Sequence, residues 1–216
     1  MKTLVRSLVY SVLLRFGWRG ARRMNGGWAL PTATQRLAHL DQLCADHQQS
    51  LGRRLTILEI GSLLGCSTSV LARYGTVLCV DPWPWGMSAF LRRTRGLDII
   101  PCRGLSTNVL PLLQTKAFDL AYIDGNHSWP TVDADLMACI RLVCQGGIIC
   151  GDDLERQIGD DLTPDEARFH RSLDYIDGYH PGVTHAVYTL FGHVNVKDGF
   201  WWAPDPSTKQ QQGEAR

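Results

Sequence analysis

The sequence predicts a doubly wound α/β fold, a mostly parallel sheet of about seven strands with helices on both faces. Three observations predict it. Short apolar runs alternate with segments of helical periodicity along most of the 216 residues. The run Ile57-Leu58-Glu59-Ile60 breaks into a glycine-flanked turn, Gly61-Ser62-Leu63-Leu64-Gly65, and then enters a helix. A second run, Val77-Leu78-Cys79-Val80, closes on Asp81, twenty positions after Gly61. That is the spacing expected of an acid that grips ribose hydroxyls.

Taken in order, Leu37, Leu40, Leu43 and Cys44 recur as on one face of a helix over residues 34–49. Residues 54–59 form the first strand, 67–73 the helix after the turn, and 76–80 the second strand. A short helix over 88–93 precedes a third strand at 98–101 and a helix over 106–113. The fourth strand is 120–123. Val132, Leu136, Cys139, Ile140 and Val143 share one face of a helix over 132–143, which Gly146-Gly147 is expected to end before a fifth strand. Val183, Ala186, Val187, Leu190 and Phe191 have helical spacing, and residues 194–202 supply the final strands around Lys197-Asp198-Gly199.

Composition fits one globular domain, expected over residues 28–204, with 44% hydrophobic and 20% charged residues. The 22 basic and 21 acidic residues nearly cancel, which disfavours a nucleic-acid partner. Seven cysteines, odd in number and without a C-x-x-C pair, read as buried apolar groups in a reducing compartment, so the expected location is the cytoplasm. Residues 1–27 differ. Leu4, Val5, Leu8, Val12 and Phe16 repeat at helical spacing among Lys2, Arg6, Arg15, Arg19, Arg22 and Arg23. The pattern predicts a basic amphipathic helix, expected to pack on the domain or on a second copy, or to touch an anionic membrane surface. Arg6 and Arg15 interrupt it too early for a membrane span. Residues 205–216 form a polar tail.

The turn reads Gly-Ser-x-x-Gly and lacks the G-x-G-x-x-G that lets backbone close on a pyrophosphate, which argues against a nicotinamide dinucleotide. S-adenosylmethionine carries a ribose, an amino-acid end and a cationic sulfonium, and suits carboxylates at Glu59 and Asp81 beside the amides near Ser62. Further on stand Ile123-Asp124-Gly125-Asn126-His127-Ser128-Trp129 and Gly146-Gly147-Ile148-Ile149-Cys150-Gly151-Asp152-Asp153. With the first turn and Val80-Asp81-Pro82-Trp83, these resemble the ordered motifs of class I S-adenosylmethionine-dependent methyltransferases with a Rossmann-like fold. The closest likeness is to their small-molecule and sugar O-methyltransferase branch, and it runs from about Leu58 to Asp153.

The resemblance implies S-adenosylmethionine held by Glu59, Gly61, Ser62, Gly65, Ser67, Asp81, Trp83, Gly104, Ser106 and Asp124. The methionine end is expected at Gly61 and Ser62, the ribose on Asp81, and the adenine near Trp83 and Gly104-Leu105-Ser106. It also implies that Asp124, Asp152 and Asp153, at the ends of neighbouring strands, share a hard divalent ion, Mg2+ or else Mn2+ or Ca2+. His127 is the expected general base, with Asp124 beside it, because an imidazole takes up a proton near neutrality; many relatives carry an aspartate where this chain has Asn126, an amide that cannot, which shifts the burden to His127 or to the metal. The acceptor is expected to be a small molecule or sugar, walled partly by residues 155–180. A metal-dependent hydroxylase-like relative and a non-catalytic cofactor-binding module at a membrane remain as alternatives.

Overall fold

A computed structural model describes residues 31–160 and 162–204. The expected amino-terminal helix and the polar tail lie outside these described residues. Helix α1 (Pro31–Leu51) leads to β1 (Leu55–Ile60), α2 (Cys66–Leu71), β2 (Gly75–Asp81), α3 (Met87–Arg93) and β3 (Ile99–Arg103). Then come α4 (Ser106–Val109) with a 3-10 turn at Leu110–Leu112, β4 (Phe118–Ile123), α5 (Trp129–Leu142) and β5 (Val143–Gly151). Helices α6 (Pro164–His170) and α7 (Pro181–Phe191) precede the hairpin β6 (Asn195–Lys197) and β7 (Phe200–Pro204).

The seven strands form one sheet in the order β3-β2-β1-β4-β5-β7-β6. The first five are parallel, while β7 runs antiparallel to β5 and β6 antiparallel to β7. This is the expected fold. Strand order reverses between β1 and β4, and a crevice opens at such a point beyond the carboxyl ends of the strands. Because alternate side chains of a strand face opposite ways, Leu58, Ile60 and Ala121 meet Val132, Leu136 and Ala186 of α5 and α7 on one face. On the other, Ile57, Val77, Leu120 and Tyr122 pack with Leu40 and Cys44 of α1, Val70 and Leu71 of α2, and Phe90 of α3. Truncating a fully buried leucine such as Leu58 or Leu136 would cost about 2–5 kcal/mol.

Two expectations are corrected. Gly146-Gly147 does not end a helix before the strand; α5 runs directly into β5, and the glycines lie within it. There they accompany a break in register, with Phe118 opposite Val143 but Leu120 opposite Ile148. Helix α6 falls in a stretch read only as a wall. Its sequence signal was present: Thr163 Oγ1 accepts from Glu166 N–H while the Glu166 carboxylate accepts from Thr163 N–H, with Pro164 opening the helix. All seven cysteines are free, four of them buried, as expected. No helix among the described residues is long and apolar enough to cross a membrane.

Asp135 of α5 is only 2% exposed, and its Oδ1 has no hydrogen-bond partner among the described residues. Burial raises its pKa to about 6, against a smaller lowering by the Ser106 hydroxyl. A carboxyl whose folded pKa lies above its unfolded value stabilises the fold below the unfolded pKa and loses that contribution as pH rises through about 6. Asp135→Asn should therefore stabilise the protein at pH 7.5, by up to about 3 kcal/mol relative to its effect near pH 4. Urea denaturation of both proteins at the two pH values measures this, and a pH-independent difference would show that the carboxyl does not titrate on unfolding.

Candidate active site

The turn between β1 and α2 is built around one buried acid. Glu59 is fully inaccessible, and its carboxylate accepts from Ser62 Oγ (2.6 Å), Ser67 Oγ (2.6 Å) and Thr68 Oγ1 (2.5 Å). Burial raises its pKa and the three hydroxyls oppose the rise. Three of the expected cofactor residues, Glu59, Ser62 and Ser67, thus spend their side-chain bonds on one another and hold the turn in shape.

Gly61 sits at φ +88°, and a Cβ there would lie 2.0 Å from the Asp124 carbonyl oxygen. The glycine is required because the β1 turn crosses the end of β4 at that point, where Gly61 N–H bonds to Val80 O and Asp124 N–H to Ile60 O, each at 2.9 Å. A side chain at position 61 would displace the end of β4 before it met any ligand. Gly65 lies at the head of α2, its N–H donating to Ser62 O at 2.7 Å.

Asp81 joins two loops. Its Oδ2 accepts from Leu63 N–H at 2.9 Å and its Oδ1 from Trp83 N–H at 2.5 Å, so each oxygen keeps one further lone pair. Both donors sit in the left-handed region, Leu63 at φ 41° and Trp83 at φ 37°. Trp83 is 1% exposed, its indole N–H bonded to Leu63 O at 3.0 Å and its ring 4.7 Å from that of Phe90. It is a core plug behind the loop. Gly104 N–H bonds to Asp81 O at 3.1 Å, which brings the turn holding half-buried Ser106 beside the end of β2.

A small cleft opens at the ends of β4 and β5, lined by Asp124, Asn126, His127, Asp152, Asp153, Val183 and Trp201. Asn126 Oδ1 accepts from Ser128 N–H at 2.9 Å and from its hydroxyl at 2.5 Å, which makes it a turn residue at the head of α5. His127 donates from Nε2 toward Asp153 Oδ2 and from Nδ1 toward Asp174 Oδ1, both at 2.9 Å. Burial alone would lower its pKa, but these partners raise it to about 9. The same pairing, joined by His180 and Arg36, overcomes burial and holds Asp153 down at about 2. Asp124 is pushed well above the usual carboxylate range by burial and by Asp152 and Asp153. Asp152 rises to about 7 through burial, held back by Arg36 and raised again by Asp153.

The sequence reading therefore placed the acids together correctly but missed the groups that answer them. Arg36 of α1 reaches Asp152 Oδ1 at 3.0 Å, Asp153 Oδ1 at 2.8 Å and Glu155 Oε1 at 3.1 Å. His180, at the head of α7, packs its ring 4.5 Å from that of His127 and lies 3.1 Å from Glu155 Oε2. His127, Asp153 and His180 each offer a ligand atom within 4.8 Å of the others. No motif marks Arg36 or His180, since both arrive from elements distant in sequence. The oxygen-only set Asp124, Asp152 and Asp153 fits a divalent ion poorly here, because one Asp153 oxygen faces Arg36 and the other His127.

Residues 58–154 match a family model described as a methyltransferase domain. Among solved structures, cofactor-bound Rv0187 from MTB has a TM-score of 0.58 at 23% identity, covering 79% of each chain. An O-methyltransferase from Bacillus cereus in complex with SAH has a TM-score of 0.57 at 20% identity, covering 83% of this chain and 84% of that one. CalS11, a TDP-rhamnose 3'-O-methyltransferase in calicheamicin biosynthesis, gives 0.56 at 15% identity over 87% and 86%. No curated protein matches. The domain match spans the Gly61 turn, Asp81 and the acidic ends of β4 and β5, so residues 58–154 are similar to a methyltransferase domain, and the solved structures share the fold.

Proposed function

We propose that the protein transfers the methyl group of S-adenosylmethionine to an oxygen of a small molecule or sugar. The observation that carries this reading is the close crossing of Gly61 over the Asp124 backbone, with Asp124 N–H bonded to Ile60 O. It sets the cofactor turn directly against a cleft lined by titratable acids and an imidazole. In this reading the turn amides take the methionine end, Asp81 accepts the ribose hydroxyls on its remaining lone pairs, and Gly104 and Ser106 border the adenine. Trp83 supports that wall from behind. A donor held there would point its methyl into the cleft, where orientation and exclusion of water favour displacement.

The acceptor hydroxyl must lose its proton as the new bond forms. His127, with a pKa of about 9, is an imidazolium near neutrality and serves better to orient the acceptor oxygen than to deprotonate it. Asp152, at about 7, is the group poised to take the proton, and Asp124 beside it is pushed upward by burial and by the two neighbouring acids. The free cysteines support a reducing, cytoplasmic setting, and the acceptor's identity is a matter for a screen of sugars and diols.

Calorimetric titration with S-adenosylhomocysteine should show binding to the wild type. Asp81→Ala should weaken it by roughly 1.5–3 kcal/mol, the value of hydrogen bonds to a charged acceptor. Since Asp81 also ties two loops, the melting temperature belongs beside the titration, and unchanged affinity would remove the ribose assignment.

With an acceptor in hand, kcat should rise with pH through about 7 as Asp152 ionises. That limb should persist in His127→Ala at reduced turnover and vanish in Asp152→Asn. A limb near pH 9 that disappears in His127→Ala would return the base role to the imidazole.

A further inference from the structure

Arg36 belongs to no motif, yet the fold makes room for it with unusual specificity. From α1 it reaches the far end of β5, where its side chain is 15% exposed. Its Nε donates to the carbonyl of Asp198 at 2.7 Å, in the turn between β6 and β7. One terminal nitrogen faces Asp152 and Asp153 and the other faces Glu155. Gly199 sits at φ +86°, a backbone conformation that favours glycine, and lies directly against the Arg36 guanidinium. A planar fork with five donors, met by acceptors from two separate segments, is the geometry that favours arginine over a diffuse point charge.

Two of the acids that Arg36 holds, Asp152 and Asp153, belong to the set of three expected, with Asp124, to ligate a hard cation. A divalent ion placed on Asp152 and Asp153 would stand within contact distance of a guanidinium, and like charges at that range repel strongly when little water separates them. Such an ion also needs six or more oxygen ligands, and both Asp153 oxygens are already engaged, one by Arg36 and one by His127. The two cations are alternatives for one position.

We propose that Arg36 is the resident cation of this cleft, occupying the place a divalent ion would otherwise take on Asp152 and Asp153. Its corollary, that the transfer reaction needs no metal, rests on the methyltransferase reading above. Arg36 is a positioning residue: it fixes the two acids and does not touch the reacting atoms.

The test is direct Mn2+ binding to the full chain, read by the loss of the free-ion paramagnetic resonance signal, with S-adenosylhomocysteine titrated in parallel. Wild type should bind no Mn2+ at millimolar concentration. Arg36→Ala should open a stoichiometric Mn2+ site, at least about tenfold tighter than any in wild type, which the further change Asp152→Asn abolishes. Arg36→Lys, which keeps a charge but loses the fork, covers the case in which the alanine variant fails to fold, and it should bind Mn2+ between the two. Wild-type turnover should withstand excess chelator, whereas Arg36→Ala should become chelator-sensitive and be restored by Mg2+. Tight wild-type binding that His180→Ala removes would place an ion on the histidine set and overturn the proposal. Arg36 variants that fold yet gain no site would overturn it equally. The S-adenosylhomocysteine titration reports on the cofactor assignment alone, so failure of that reading is distinguishable.

Discussion

Removing carboxylates from water is the constraint around which this site is organised. Glu59, Asp81, Asp124, Asp152 and Asp153 all stand at the carboxyl edge of the sheet, each at least half buried, where an unanswered charge would be prohibitive. Each is answered differently. Glu59 receives three hydroxyls, Asp81 two backbone amides, and Asp153 an arginine and an imidazolium. Asp124 has no ion pair among the described residues, and burial together with Asp152 and Asp153 pushes its pKa well above the usual carboxylate range.

These answers couple parts of the chain that the sheet alone would leave independent. The hydroxyls on Glu59 shape the turn that must lie against Asp124, and the amides on Asp81 tie the loops after β1 and β2 together. The acids after β5 draw in α1 through Arg36, the β6–β7 turn through Asp198 and Gly199, and the head of α7 through His180. Close approach is enforced by small residues at the crossings. Gly182 of α7 passes so near the His127 carbonyl that a Cβ would lie 2.1 Å from it. The chemistry of the cleft and the packing of its outer helices are thus one problem, solved by the same contacts.

The electrostatic pattern also separates roles that share a residue type. Asp152 and Asp153 are neighbours in sequence, yet one is raised toward 7 and the other held near 2, because His127 and His180 face only the second. Such a split between adjacent carboxyls is how one site keeps a fixed anion beside a titratable one. His127 follows from the same arrangement, its second nitrogen held by Asp174 from the segment between α6 and α7.

The sequence by itself determined the sheet, its order of elements and the residues along its carboxyl edge. Those features arise from short-range signals: period-two apolar runs, a glycine turn, acids at strand ends, helical spacing in α1, α5 and α7. It also held the Thr163–Glu166 capping box, legible though unread. Only the tertiary structure decided what the acids do. Whether Glu59 faces a ligand or three hydroxyls, whether Trp83 lies open or in the core, and whether Asp152 and Asp153 await a metal or hold Arg36 depend on partners far away in sequence. Arg36 stands 117 residues before Asp153. No local pattern encodes a charge pair of that separation, because it is set by how α1 packs against the last hairpin beside the end of β5.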